Sequence, residues 1–213
     1  MQLESNSQTE HAVSGNDWQI MPRVYDRHIN LSVMRRNLDP RIRSFIQGTV
    51  LTDRPLSICQ SIKDPKELPS LIPEHLREAP GARPWLEDMM MLVDAWFCLF
   101  DPKAVGVRLN TLTKTMCPRF HADRVMVRLL TTYGGPGTEW IPNEDVDRAR
   151  LGRPLVDNQD PLAQSNNIQR LEEGDVGLFK GEIWPDNEGN GVVHRSPSIM
   201  AGECRLLFSL DIV

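Results

Sequence analysis

The pattern of apolar and polar positions changes character near residue 101. Upstream, apolar residues recur at three- and four-residue steps. In "RPWLEDMMMLVDAWFCLFDP", Trp85, Met89, Leu92, Trp96 and Leu99 fall on one stripe of a helix. Pro84 opens that helix and Asp101-Pro102 closes it. Such a Met and aromatic stripe suits packing against a sheet; lining a ligand pocket is its other use. "DPRIRSFIQGTVL" reads as another helix, with Asp39 as N-cap and Pro40 at the first helical position. "DPKELPSLIPEHLREAP" is cut by prolines into short helical turns.

Downstream the period becomes two. "AVGVRLNTL" alternates, "RVMVRLLTTY" is β-branched and apolar until "GGPG" breaks it, and "GDVGLFKG" runs between glycines. "GNGVVHRS" and "CRLLFSLDIV" complete the set. Helices followed by short strands with Gly/Pro turns predict an α+β chain with a jelly-roll core and the N-terminal helices packed on its sheet. The long polar stretch from Asn143 to Arg170 reads as an insertion, a lid-like segment near residues 142–170. The polar start reads as a disordered tail over residues 1–20. Residues 21–213 then form a single domain, mainly helical over 21–101 and β over 102–213.

Composition narrows the function classes. Apolar residues make up 40% and charged residues 25%, ordinary globular values. The net charge of -5 argues against broad nucleic-acid binding, although Arg119, Arg124 and Arg128 lie close enough in the chain to make a local basic groove. No apolar run reaches the roughly eighteen residues of a membrane span. The start lacks the basic and apolar parts of a secretion signal. Cys59, Cys98, Cys117 and Cys204 are widely spaced without a CxxC pair, which suits free thiols in a reducing, cytoplasmic setting. Cys98, inside an apolar run, reads as core.

The candidate chemistry lies in the β half. His121 and Asp123 are two apart, so on extended chain they point the same way. His194 sits at the end of another β-type run. Two imidazoles and one carboxylate can hold one face of an octahedral metal and leave the opposite face open. Alone, the H-x-D pair reads equally as a surface turn in which Asp123 caps a backbone amide. Of the five histidines, His11 lies in the tail region and His28 and His75 in the helical half, leaving the two that such a triad needs. Arg205 could clamp an anionic co-substrate, or pair with Glu203 or Asp211. Tyr133 and Thr131 could donate hydroxyls to the same pocket; Tyr133 is alternatively core. Cys117 is either a thiol beside the site or a ligand, the latter favouring zinc. Lys180 and Glu182 face either the site or solvent. There is no G-x-S-x-G elbow, no Walker A loop and no G-x-G-x-x-G after a strand.

The words "CPRFHADRVMVRLLTTYGGPGTEW", "GDVGLFKGEIW", "VVHRSPS" and "CRLLFSLD" resemble the uncharacterised bacterial family numbered 1826 among domains of unknown function. That resemblance covers most of the chain beyond roughly residue 20 and implies no reaction. The order H-x-D, glycine turn, G-x-V-x-x-F, His, Arg resembles the Fe(II)/2-oxoglutarate dioxygenase superfamily, whose core is a cupin-like double-stranded β-helix. The resemblance implies His121, Asp123 and His194 as iron ligands, Arg205 on the distal carboxylate of 2-oxoglutarate and Tyr133 touching that co-substrate. From the residues alone, Thr131 lies beside them and Cys117, Arg195 and Arg128 are candidates around the site; Arg195 is an alternative clamp, but its place next to His194 should point it away from the metal. Arg205 lies eleven residues after His194, one more than is usual there. A one-residue slip turns a strand side chain to the other face unless a bulge, for which Gly202 is a candidate, absorbs it. The expectation is a non-haem Fe(II), 2-oxoglutarate-dependent oxygenase of hydroxylase type acting on a small-molecule or protein substrate. A zinc-binding or metal-handling protein of the same fold is the alternative, and an interaction module that has lost its metal is the third.

Overall fold

The computed structural model describes residues 11–151 and 167–213. Ten strands run in chain order: β1 Ala12–Gly15, β2 Leu31–Met34, β3 Ser57–Ile62, β4 Val105–Leu112, β5 Val127–Gly134, β6 Glu139–Trp140, β7 Gln169–Arg170, β8 Val176–Lys180, β9 His194–Arg195 and β10 Arg205–Ile212. Helices α1 Pro40–Phe45, α2 Leu68–Leu71, α3 Glu74–Arg77 and α4 Ala82–Phe100 all precede β4. A seven-stranded sheet has the order β1-β2-β8-β5-β10-β4-β3, and a three-stranded sheet the order β7-β6-β9. Apart from the parallel pair β1–β2, the large sheet is antiparallel.

Side-chain alternation gives the large sheet two faces. Val107 and Leu109 of β4, Leu129 of β5 and Leu206, Phe208 and Leu210 of β10 pack against Trp85, Met89, Leu92 and Trp96 of α4. This is the helix stripe read from the sequence, used for sheet packing. Each of those large side chains contributes on the order of 1.5–3 kcal/mol by leaving water. The helix stops at Asp101, which takes a left-handed conformation (φ 43°) ahead of Pro102. On the opposite face, Leu31, Val33, Leu130 and Phe179 meet Trp140, Leu171 and Val192 of the small-sheet region. That second apolar layer fills the space between the two sheets, beside the triad residues.

Two glycines of "GGPG" close the turn after β5. Gly135 has φ +85°, and a Cβ there would lie 2.4 Å from the Cys204 carbonyl oxygen. A Cβ on Gly137 would lie 1.7 Å from the Leu171 carbonyl oxygen. Any other residue at position 135 would push the turn off the start of β10, where Arg205 sits, and at position 137 off Leu171.

The structure departs from the pattern reading in its N-terminal half, which holds three strands. Residues 11–20, expected in the tail, include β1 and the start of a 3-10 helix, Trp18–Tyr25; residues 1–10 lie outside the described residues. β2 is buried at all four positions, so it shows no alternation. β3 is a largely exposed edge, paired with β4 alone, so its apolar signal is faint. "GNGVVHRS" supplies just the two residues of β9. Cys98 is exposed rather than core, and all four cysteines are free thiols. Most of the expected lid-like insertion, residues 152–166, lies outside the described residues; its start, Asn143–Arg150, forms short 3-10 turns. Among the described residues no helix is long and apolar enough to cross a membrane.

Candidate metal centre

His121, Asp123 and His194 converge. One ligand atom from each lies within 4.8 Å of the others. His121 and His194 form an isolated antiparallel bridge, with hydrogen bonds from His121 N to His194 O (3.0 Å) and from His194 N to His121 O (2.9 Å). Both rings are also fixed from behind. Nδ1 of His121 is 2.9 Å from the Arg119 carbonyl oxygen, and Nδ1 of His194 is 3.0 Å from that of Val192. A carbonyl can only accept, so each Nδ1 carries the hydrogen and each Nε2 is turned to the centre. The two Nε2 atoms face one carboxylate, His194 to Asp123 Oδ2 at 3.3 Å and His121 to Asp123 Oδ1 at 3.5 Å. Three electron-rich groups aimed at one point need a proton or a cation between them. The donor set and the backbone anchoring fit a divalent metal.

The centre's electrostatics point the same way. Burial opposes ionisation of Asp123, but the two histidines and the Arg128 guanidinium override it and hold the carboxyl well below the usual carboxylate range. Asp123 in turn raises the His121 pKa, against the effect of burial. Arg128 donates from Nη1 to Asp123 Oδ2 (2.6 Å) and holds Asp211 through Nε (2.6 Å) and Nη2 (3.0 Å). Asp211 also accepts from Arg108.

A cavity of about 250 Å³ runs from the two histidines to Arg205, with Arg128, Leu130, Thr138, Leu207 and Ser209 among its walls. Arg205 is fully buried. Its Nη2 donates to Thr138 Oγ1 (2.6 Å) and Thr132 Oγ1 (3.2 Å), while Nη1 has no hydrogen-bond partner among the described residues. The acids expected for it are committed elsewhere: Asp211 to Arg108 and Arg128, and Glu203 Oε2 to the Met200 backbone N–H. Burial lowers the Arg205 pKa to about 10, with the charge of Glu139 opposing, so the side chain stays cationic at neutral pH. A buried cation with an unmet donor is costly unless an anion completes it. The residues therefore fit a carboxylate-bearing co-substrate spanning from the metal position to Arg205.

The eleven-residue spacing does not turn Arg205 away, because residues 196–204 are irregular and strand parity does not carry across them. A bulge is present, but in the pairing of β10 with β5 between Leu206 and Leu207, not at Gly202. Tyr133 and Thr131 require correction. Tyr133 lies fully buried on the helix side of the sheet, where it donates to Asp88 Oδ2 (2.5 Å), itself gripped by Arg36 at 2.5 and 2.9 Å. Burial and the Asp88 charge push the Tyr133 phenol well above its usual range. Thr131 pairs with Val176 and Phe208, both in the helix-side core. The hydroxyls that reach Arg205 belong to Thr132 and Thr138. Alternation from Arg128 through Leu130 to Thr132 is the signal that identifies Thr132; Thr138, in the glycine turn, carries none.

Cys117 is exposed on the cavity wall, and its sulfur is outside the converging group. Arg195 lies on the same wall, donates to Glu139 Oε2 (2.7 Å) and stands 4.2 Å from the Phe120 ring centroid. Lys180 faces the helix side, with Nζ donating to the Asp26 carbonyl oxygen (2.9 Å) and lying over Trp184. Glu182 accepts from the backbone N–H groups of Gly189 and Gly191.

The family described as protein of unknown function (DUF1826) matches residues 15–211. No curated protein matches the chain. The dioxygenase for auxin oxidation in rice superposes with a TM-score of 0.51 at 14% identity, over 95% of this chain and 82% of that one. A full-length Neurospora crassa protein, in complex with alpha-KG and 5-formyluracil, superposes with a TM-score of 0.50 at 12% identity, over 91% of this chain and 77% of that one. At these identities the likeness is one of fold. With its His-Asp-His group inside a double-stranded β-helix, the chain belongs to the DUF1826 family.

Proposed function

We propose that the protein is a non-haem Fe(II), 2-oxoglutarate-dependent oxygenase of the hydroxylase type. The observation that carries this reading is Arg205, a buried guanidinium whose Nη1 has no partner among the described residues, in the cavity that also holds His121 and His194. The likeness to the Neurospora crassa protein, in complex with alpha-KG, supports the same reading. His121, Asp123 and His194 would hold Fe(II) on one face. Arg205, Thr132 and Thr138 would take the far carboxylate of 2-oxoglutarate, a charge-assisted contact in a site shielded from water. When bound, the metal and 2-oxoglutarate supply dioxygen activation and hydroxylation of a substrate C–H bond. The chain's own part is to orient the co-substrate and to keep water from it, with Leu130 and Leu207 as apolar walls. The free thiols fit a reducing, cytoplasmic setting.

The alternative zinc reading drew on Cys117, whose sulfur stays outside the converging group. The test is aerobic incubation of the Fe(II)-loaded protein with 2-oxoglutarate, measuring succinate. Slow succinate release without added substrate, lost in His194→Ala, is expected. Zinc retained through purification, with no succinate from the iron-loaded protein, would count against the proposal.

A further inference from the structure

β3 pairs with β4 alone, so its other side is an open edge among the described residues. The Thr111 N–H donates to the Leu56 carbonyl (3.0 Å), one step before Ser57 pairs with Asn110. Bonded and non-bonded pairs alternate along an antiparallel ladder, so Ile58, Gln60 and Ile62 also turn their backbone groups to β4. Ser57, Cys59 and Ser61 then present their N–H and C=O groups outward. No other described segment bonds to those groups, and all three residues are exposed. Folded proteins blunt such edges with charged side chains, proline, bulges or a covering element. β3 reads SICQSI, without charge or proline, and its pairing with β4 runs without a bulge.

We infer that β3 is a self-association edge, on which a second copy of this chain adds its own β3 antiparallel about a two-fold axis, giving one sheet across both copies. A two-fold contact must be complementary to itself. The register centred on Cys59 meets that condition. It sets Cys59 opposite Cys59 of the second copy, and Ser57 opposite Ser61 at either side. Every outward N–H and C=O of the three residues is then paired, about six hydrogen bonds in all. A slip of one residue would set outward groups against inward ones and lose them. The same register brings Arg54 opposite Asp64 of the second copy, just beyond each end of the strand. Both residues are exposed, so each end of the contact joins opposite charges, and the uncharged strand between them brings no like charges together.

The test is sedimentation equilibrium of the full chain under reducing conditions, with cross-linking by a short bis-maleimide. Wild type is expected to reach the mass of two chains as concentration rises. Cys59→Lys sets like charges face to face on the two-fold axis and should stay at the mass of one chain, with unchanged circular dichroism. Arg54→Glu should raise the dissociation constant roughly fivefold or more, since it turns both end pairs repulsive. Opposed residues of a bonded pair lie about 5.5 Å apart at Cα, so the reagent should join the two Cys59 thiols. Cys59→Ser, which leaves the backbone pairing intact, should still dimerise but lose that cross-link, although Cys98 and Cys117 are also exposed. The wild-type cross-link, located by peptide mapping, carries the test if Cys59→Lys does not fold. Wild type that stays at the mass of one chain would overturn the inference and leave the edge to an extended segment of another protein. A folded Cys59→Lys dimer, or a cross-link through Cys98 or Cys117 in place of Cys59, would overturn it too.

Discussion

His121 and His194 exchange both of their backbone hydrogen bonds, at 3.0 and 2.9 Å, and their rings stand 4.7 Å apart between centroids. The two imidazoles are thus brought together by the backbone and need no metal to hold them. Side-chain truncation should therefore remove metal without unfolding the chain. His121→Ala and His194→Ala are each expected to drop bound divalent metal from about one equivalent to near zero. The metal-free melting temperature should move by no more than a few degrees. Metal analysis after dialysis, with thermal unfolding of the same samples, checks both.

Arg205→Met separates ligand binding from stability. It removes a buried cation whose Nη1 has no partner among the described residues. Replacing such a charge with an apolar side chain of similar length is often neutral or stabilising. The ligand-free variant should melt no lower than wild type. Its 2-oxoglutarate affinity should fall by about 2 kcal/mol or more, roughly 30-fold, the loss usual for one side of a buried charged contact. A lower melting temperature with unchanged affinity would place Arg205 in a structural role.

Tyr133→Phe is expected to behave in the opposite way. Its hydroxyl belongs to the Arg36–Asp88 cluster behind the sheet. Removing it should cost about 1–3 kcal/mol, because Asp88 loses a donor in a buried setting. Affinity for 2-oxoglutarate should not change. Chemical unfolding and calorimetry on one variant distinguish this from a pocket role.

The pH dependence of the metal-free protein has two opposed limbs. Asp123 has its folded pKa depressed, so its stabilising contribution is complete above the unfolded value near 4 and is lost as pH falls further. His121 has its folded pKa raised, so its contribution is complete below about 6.5 and is lost as pH rises through the folded value. Asp123→Asn should flatten both limbs in a plot of unfolding free energy against pH, since it removes the partner of each. Metal affinity should rise with pH over the His121 range, because the metal must displace that proton.

Periodicity was enough to identify α4, β4, β5, β8 and β10, because each alternates or runs apolar against a polar flank over at least five residues. β2 and β3 carry too little contrast, one buried throughout and the other at an exposed edge. The convergence of His121, Asp123 and His194 was legible because H-x-D spacing and a histidine ending a later β run are local signals. Arg205 was legible as a cation, but its partners were not. Glu203 and Asp211 are near it in sequence, while Thr132 and Thr138 reach it through sheet pairing and the glycine turn. The pocket reading of Tyr133 fails for a related reason, and its alternative, core, is the one that holds. Its parity within β5 has meaning only once Arg128 is known to face Asp123.

The measurement that bears most directly on the central claim is an anaerobic absorption titration of the wild-type protein with Fe(II) and 2-oxoglutarate. A visible metal-to-ligand charge-transfer band that saturates at one equivalent of each, and is absent in His194→Ala, is the predicted result. Folded protein that develops no such band with both present would contradict the account.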